Sequence, residues 1–134
     1  MKHEFTDEEA VANIQGSQAV IDYFGRWISF IKADLLDIRI HARGNCTIVL
    51  YVNDSVGAIA DKPRLVRKNA LVTFFMEGMN NFHLEGFNNT QNWIGGMSFR
   101  RIDSGLHIDL WVDLGTEGWI EAKTIRVEIN PLWI

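Results

Sequence analysis

The 134-residue sequence has little of what usually announces a chemistry. Its single cysteine, Cys46, excludes an internal disulfide and a multi-cysteine zinc site. Uninterrupted apolar runs stay well short of the roughly 20 residues a membrane helix needs. The N-terminus is acidic at Asp7, Glu8 and Glu9 and has no apolar core, so no signal peptide is expected. These absences together suggest a soluble, cytoplasmic protein. Basic runs are missing too, and the formal net charge is −4. Direct nucleic-acid binding is therefore disfavoured, because such binders carry a basic patch. There is no internal repeat and no low-complexity segment.

Local catalytic patterns are also lacking. His3, His41, His83 and His107 are scattered and show no metal-ligand spacing. Asp109 and Asp113 lie four apart on a strand, about 13 Å by strand rise, beyond the reach of paired-carboxylate hydrolysis. Ser17, Ser29, Ser55, Ser98 and Ser104 sit in no nucleophile elbow. Gly95-Gly96 lacks the further glycine and helix that a phosphate loop requires. Cys46 falls on the apolar parity of its strand and reads as a small core residue. No catalytic residue, metal or cofactor is assigned.

What is present is a core. The hydrophobic fraction is 47% against 22% charged residues, an ordinary globular mix. Five Trp and eight Phe supply a real core with aromatic surface to spare. The length fits one domain, residues 1–134. The clearest pattern is Leu106–Val112, where Leu106, Ile108, Leu110 and Val112 alternate with His107, Asp109, Trp111 and Asp113. Period two places the first set in the core, and His107, Asp109 and Asp113 on a face that meets water or a partner. His107 and Asp109 would then form a solvent-facing pair about 7 Å apart at the backbone.

Around that strand the chain reads as an antiparallel meander, with neighbours ending near Ile102 and spanning Trp119–Ile129. In the latter, Ile120 and Ala122 differ in parity from Ile125, Val127 and Ile129, which predicts a bulge near Lys123-Thr124. Upstream, Leu36, Ile38 and Ile40 predict a half-buried strand, a hairpin turn at Arg43-Gly44-Asn45, and a strand over Cys46–Val52. Asn53–Lys68, with Pro63 and four basic residues, reads as an irregular surface connection in which any strand is an edge. Ala70–Glu77 and Phe82–Glu85 read as two strands around a turn at Gly78–Asn81. Gly86–Asn92 reads as a loop.

Two short helices are expected before the strands. Thr6-Asp7-Glu8-Glu9 reads as a capping box opening Asp7–Ile14, with Gly16 as its stop. Ser17 is expected to cap Gln18–Phe24, and Gly25 to end it. Val20, Phe24 and Trp27 share the side that should lie on the sheet. The fold expected is α+β: one antiparallel, meander-rich sheet with short N-terminal helices packed on it. Leu132, Trp133 and Ile134 follow the last predicted strand. They are expected to pack on their own domain or on a second copy, as a possible homodimer.

Two blocks resemble a known family. The first is Ile21-Asp22-Tyr23-Phe24-Gly25-Arg26-Trp27-Ile28-Ser29-Phe30-Ile31-Lys32-Ala33-Asp34-Leu35. The second is Leu84-Glu85-Gly86-Phe87-Asn88-Asn89-Thr90-Gln91-Asn92-Trp93-Ile94, with the meander after it. In order and spacing they resemble the immunity protein 50 family of bacterial polymorphic-toxin systems, over most of the chain from about Val20 to Pro131. There are departures: Ile28 stands where that family usually has proline, and Ile31-Lys32 where it usually has His-Asp. The resemblance implies a small intracellular protein that binds and silences a cognate toxin without catalysis. It supplies no functional residues.

Trp111 is the residue that draws the eye to a surface. It lies between Asp109 and Asp113 on the polar parity, where an aromatic side chain either anchors a partner or is covered by a helix or loop. The expected partner-binding set is Trp111 with Asp109, Asp113 and His107, extended by Glu121 on the next strand. The net acidity would suit a basic toxin. The rival expectation is a small-molecule binder or enzyme using a concave sheet pocket lined by Trp, Phe and Met. A flat acidic-aromatic surface would favour the first reading, and a deep apolar pocket the second.

Overall fold

In the computed structural model, which describes residues 6–59, 62–85, 94–112 and 116–132, the Leu106–Leu110 register is as its alternation predicts. Leu106, Ile108 and Leu110 are buried. They belong to one antiparallel sheet of six strands: β1 (Asp34–Ile40), β2 (Cys46–Ile59), β3 (Lys62–Glu85), β4 (Gly96–Ile102), β5 (Gly105–Val112) and β6 (Thr116–Leu132). The spatial order is β1-β2-β3-β6-β5-β4. Two local meanders therefore meet at the pairing of β3 with β6, which runs from Asn69 opposite Leu132 to Glu85 opposite Glu117. The protein is mostly sheet, with two short helices, α1 (Glu8–Ala12) and α2 (Ser17–Phe24).

The helices cover one face. Ala10, Val11, Ile14, Val20 and Phe24 are buried there, against the inward residues of the strands. Trp27 stands over this layer. Its ring meets Phe30 at 5.7 Å, Phe99 at 5.4 Å and Phe74 at 6.3 Å, all edge-on, the geometry the ring quadrupole favours. The segment after α2 then crosses to the lead-in of β4. Lys32 donates its N–H to the Ile94 carbonyl, Ile94 to Ala33, and Met97 to Ser29. These bonds hold Phe30 and Lys32 at φ of 63° and 64°, left-handed values that cost a non-glycine residue about 1–2 kcal/mol. Helix capping departs from expectation at both starts. Asp7, not Thr6, caps α1 by accepting from Glu9 N–H. Gly16 occupies the N-cap of α2, with no side-chain cap. A Cβ at Gly16 would run into the Val127 carbonyl, so the close approach of α2 to β6 requires glycine. Gly25 ends α2 at φ 85°, as predicted.

Four strand expectations are corrected. Leu36 is not inward: the register shifts between Leu35 and Asp37, so Leu35 and Ile38 pack on the core and Leu36 is 55% exposed. Ile40 keeps the inward parity but is exposed at the end of the edge strand. Asn53–Lys68 is no irregular loop. β2 runs to Ile59 and β3 starts at Lys62, a two-stranded extension in which Pro63 lies where β6 does not reach, an edge as its missing N–H demands. Gly78–Asn81 does not turn the chain either, because β3 continues through it, with Gly78 at φ 65° and a register shift between Met79 and Asn81. The parity change at Lys123-Thr124 is real, but pairing continues across it, and the shift falls on β3 instead. The predicted Gly86–Asn92 loop lies outside the described residues.

Both open strand edges near the helices are closed by backbone. Asp7 N–H bonds the Phe99 carbonyl on β4, and Gln15 bridges Ile125 and Val127 on β6. At the C-terminus, Pro131 and Leu132 lie within β6 rather than after it, with Leu132 opposite Asn69 and half-buried. Trp133 and Ile134 lie outside the described residues.

Leu110 is fully buried in the middle of this core. Leu110→Ala is expected to cost about 2–5 kcal/mol by opening a cavity, measured by urea unfolding. Cys46 is equally buried, and desolvation pushes its thiol up to about 11. It is therefore expected to resist a thiol-reactive disulfide reagent in the native state at neutral pH and to react once urea unfolds the chain. Fast labelling of the folded protein would contradict the burial.

Candidate functional site

The sheet face opposite the helices carries no covering element among the described residues. Strand alternation puts Thr47, Val49 and Tyr51 of β2 there, with Leu71, Thr73 and Phe75 of β3, all half-buried. Beyond the β3–β6 junction the same face carries His83, Trp119, Glu121, His107, Asp109 and Trp111. Seven carboxylates stand on this face: Asp34, Asp37, Glu77, Glu85, Asp109, Glu121 and Glu128. Four guanidiniums, of Arg39, Arg43, Arg100 and Arg126, accompany them among the described side chains, so carboxylates outnumber guanidiniums on this face.

His107 is the main correction. Its position on the polar parity is as expected, but it is only 5% exposed, not a solvent-facing residue. Cross-strand neighbours cover it. Trp119 on β6 stacks on its ring at 5.6 Å and 19°, and Arg100 on β4 lies opposite it. Both ring nitrogens face carboxylates: Nδ1 lies 2.7 Å from Glu121 Oε2, and Nε2 3.1 Å from Asp109 Oδ1. The hydrogen bond with Asp109 raises the pKa of His107 above its ordinary value, and that with Glu121 adds to the rise. Burial and the Arg100 guanidinium pull the other way without cancelling it. Alternation indicates which face a side chain joins, whereas its exposure depends on what stands on the neighbouring strand.

Asp109 and Glu121 are partly exposed, with side-chain exposures of 31% and 25%. Trp111 is half-buried, and the backbone leading into β4 lies against it. Gly95 donates its N–H to the Trp111 carbonyl at 2.6 Å, and the indole sits against Gly95 and Gly96, where Cβ atoms would collide with the ring. The glycine pair unsuited to phosphate is thus the seat of Trp111. Asp113 lies outside the described residues. The structure therefore brings Trp111, Asp109, His107 and Glu121 onto one face.

Two members of this cluster were missed in the sequence. Trp119 shares the outward parity opposite buried Ile120, the same signal that singled out Trp111. His83 pairs with Trp119 across β3 and β6 and stacks on it at 6.4 Å, with Glu85 3.9 Å from its Nε2. One indole thus stands between two imidazoles. No pattern within β3 alone could have placed His83 there.

Both nitrogens of His107 are engaged by carboxylates. No group of three potential metal ligands occurs among the described residues. An open groove of about 570 Å³ lies at the β1–β2 turn, lined by His41, Arg43, Phe75, Glu77 and Arg126 among others, and another of about 510 Å³ separates α1 from α2. Neither lies on a concave apolar sheet face; the core side of the sheet is filled by Phe24, Phe30, Phe74 and Phe99. Among the described residues, no helix is long and apolar enough to cross a membrane. In comparisons with known proteins, no family model, no curated protein and no solved structure matches the chain.

The tight seat of Trp111 has a measurable consequence. Gly96→Ala is expected to destabilise the fold by about 1–3 kcal/mol through overpacking against the indole. Urea unfolding measures the loss, and tryptophan fluorescence of the folded variant reports the displaced ring. An unchanged midpoint and spectrum would mean that Trp111 is not held there.

Proposed function

We propose that the protein is an immunity factor that neutralises a cognate bacterial toxin in the cytoplasm by tight, non-catalytic binding, as the family resembled by its Ile21–Leu35 and Leu84–Ile94 blocks does. The observation that carries this reading is the uncovered sheet face, acidic and set with aromatic rings. Interfaces concentrate their energy in a few buried aromatic anchors, while surrounding charges steer the approach. Trp111 and Trp119 are the anchors, with Asp109 directly opposite Trp119 and Glu121 two residues beyond Trp119 on the same strand. A surplus of carboxylates fits a toxin that presents a basic surface. The reading also fits the two engaged nitrogens of His107, which suit a binding surface better than a proton-transfer site.

The test is co-expression with a toxin encoded beside this chain, followed by binding of the purified pair. Trp111→Ala is expected to weaken binding by at least about 2 kcal/mol, the usual hot-spot threshold. Glu77→Gln and Glu85→Gln, both exposed on the same face, are expected mainly to slow association and to flatten its salt dependence. Asp109→Asn is a less clean probe of steering, because Asp109 also holds His107. Full protection by a folded Trp111→Ala protein would move the interface off this face. Failure of the wild-type protein to bind or protect would end the immunity reading.

A further inference from the structure

The Glu121–His107–Asp109 cluster has a property that a binding face does not require. A neutral imidazole has one N–H and one lone pair. Here both ring nitrogens lie within hydrogen-bond distance of carboxylate oxygens, at 2.7 and 3.1 Å. In either neutral tautomer, one nitrogen lone pair would point at an anionic oxygen. Only the imidazolium satisfies both contacts, donating to Glu121 from Nδ1 and to Asp109 from Nε2.

The two carboxylates come from different strands. Asp109 is on β5 with His107, whereas Glu121 is on β6, directly opposite His107. We propose that His107 is a proton-held clasp, an internal counter-cation that ties β5 to β6 on the acidic face and lets go as the solution turns alkaline. The remaining neighbours fit the role. From β6, Trp119 lays its ring along the imidazole, a contact that gains from a cation. From β4, Arg100 stands opposite His107 and opposes its charge. Ser98 of β4 lies opposite Asp109, and from β3 His83 and Glu85 act only across Trp119. Two carboxylates against one guanidinium leave the balance in favour of the proton.

Loss of the proton to water turns two attractive contacts into one hydrogen bond and one repulsion. The direction of the pH dependence follows. The pKa is raised in the folded state, so the stabilisation is complete below the ordinary histidine value of about 6.5 and is lost as pH rises through the folded value. Because the clasp sits beside Trp119 on that face, its release would loosen the same face that the proposed function uses. The inference itself concerns the free protein and stands without a partner.

The experiment is nitrogen-15 NMR of the imidazoles in the free full-length protein, with His107 identified by triple-resonance assignment. At pH 7 both of its ring nitrogens are expected to be protonated. Across its titration, the amide protection factors of Leu106–Leu110 and Trp119–Ala122 are expected to fall about tenfold for each unit by which the pKa is raised. His107→Gln, which is neutral at every pH, is expected to lack that step while keeping the native spectrum elsewhere. A His107 that is neutral at pH 7, or protection factors that stay level across its titration, would overturn the proposal. The wild-type measurement decides even if the variant fails to fold.

Discussion

The pairing of β3 with β6 is the constraint on which the rest of the molecule depends. The other strand pairs join neighbours in sequence and close through short connections or turns. Only β3 and β6 are brought together from distant parts of the chain, and they stay paired from Asn69–Leu132 to Glu85–Glu117. Without that ladder there would be two separate three-stranded ribbons, each with an apolar side open to water. With it, Val72, Phe74 and Met76 meet Ile125 and Val127 in one core layer, onto which the helices can settle. The entropy of closing so long a loop is offset only when that shared layer is buried.

The same ladder creates the asymmetry between the two faces. Near its middle, both strands change parity together, at Gly78 on β3 and Lys123-Thr124 on β6. The change carries Ile120 and Ala122 inward on one side, and Ile125 and Val127 inward on the other. The helical face therefore remains apolar along the whole sheet. The opposite face collects what the core rejects, including seven carboxylates and the rings of Phe75, Trp111 and Trp119. On β3 the positive φ at Gly78 and the register shift between Met79 and Asn81 accompany this change.

Strand parity was the most legible feature of the sequence. Leu106, Ile108 and Leu110, Cys46 through Val52, and the Gly25 stop all follow from local pattern. What escaped depends on the neighbouring strand. Leu36 alternates correctly with Asp37 yet is pushed outward, because β2 pairs on either side of it and leaves it unopposed. Gly78–Asn81 has turn chemistry, but a partner strand on each side can hold such residues extended. His107 reads as polar and outward, which it is. Its burial comes from Trp119 and its second carboxylate contact, beside that of Asp109, from Glu121, both on another strand and visible only once the register is known. The candidate site was thus half legible: its face could be read, its internal electrostatics could not.

An open sheet face with large rings on it would ordinarily be an association hazard, and the way this one is broken up bears on what it is for. Each ring has a polar or backbone companion. The Arg126 guanidinium lies 4.1 Å over Phe75 and is itself bonded to Glu128. Trp119 stands between two imidazoles, and Trp111 rests on a glycine pair. The rings remain half-accessible. Surplus negative charge repels a second copy of the same face. A partner must therefore bring both positive charge and a shape that reaches the rings between their companions. A surface with those two requirements selects by complementarity rather than by stickiness.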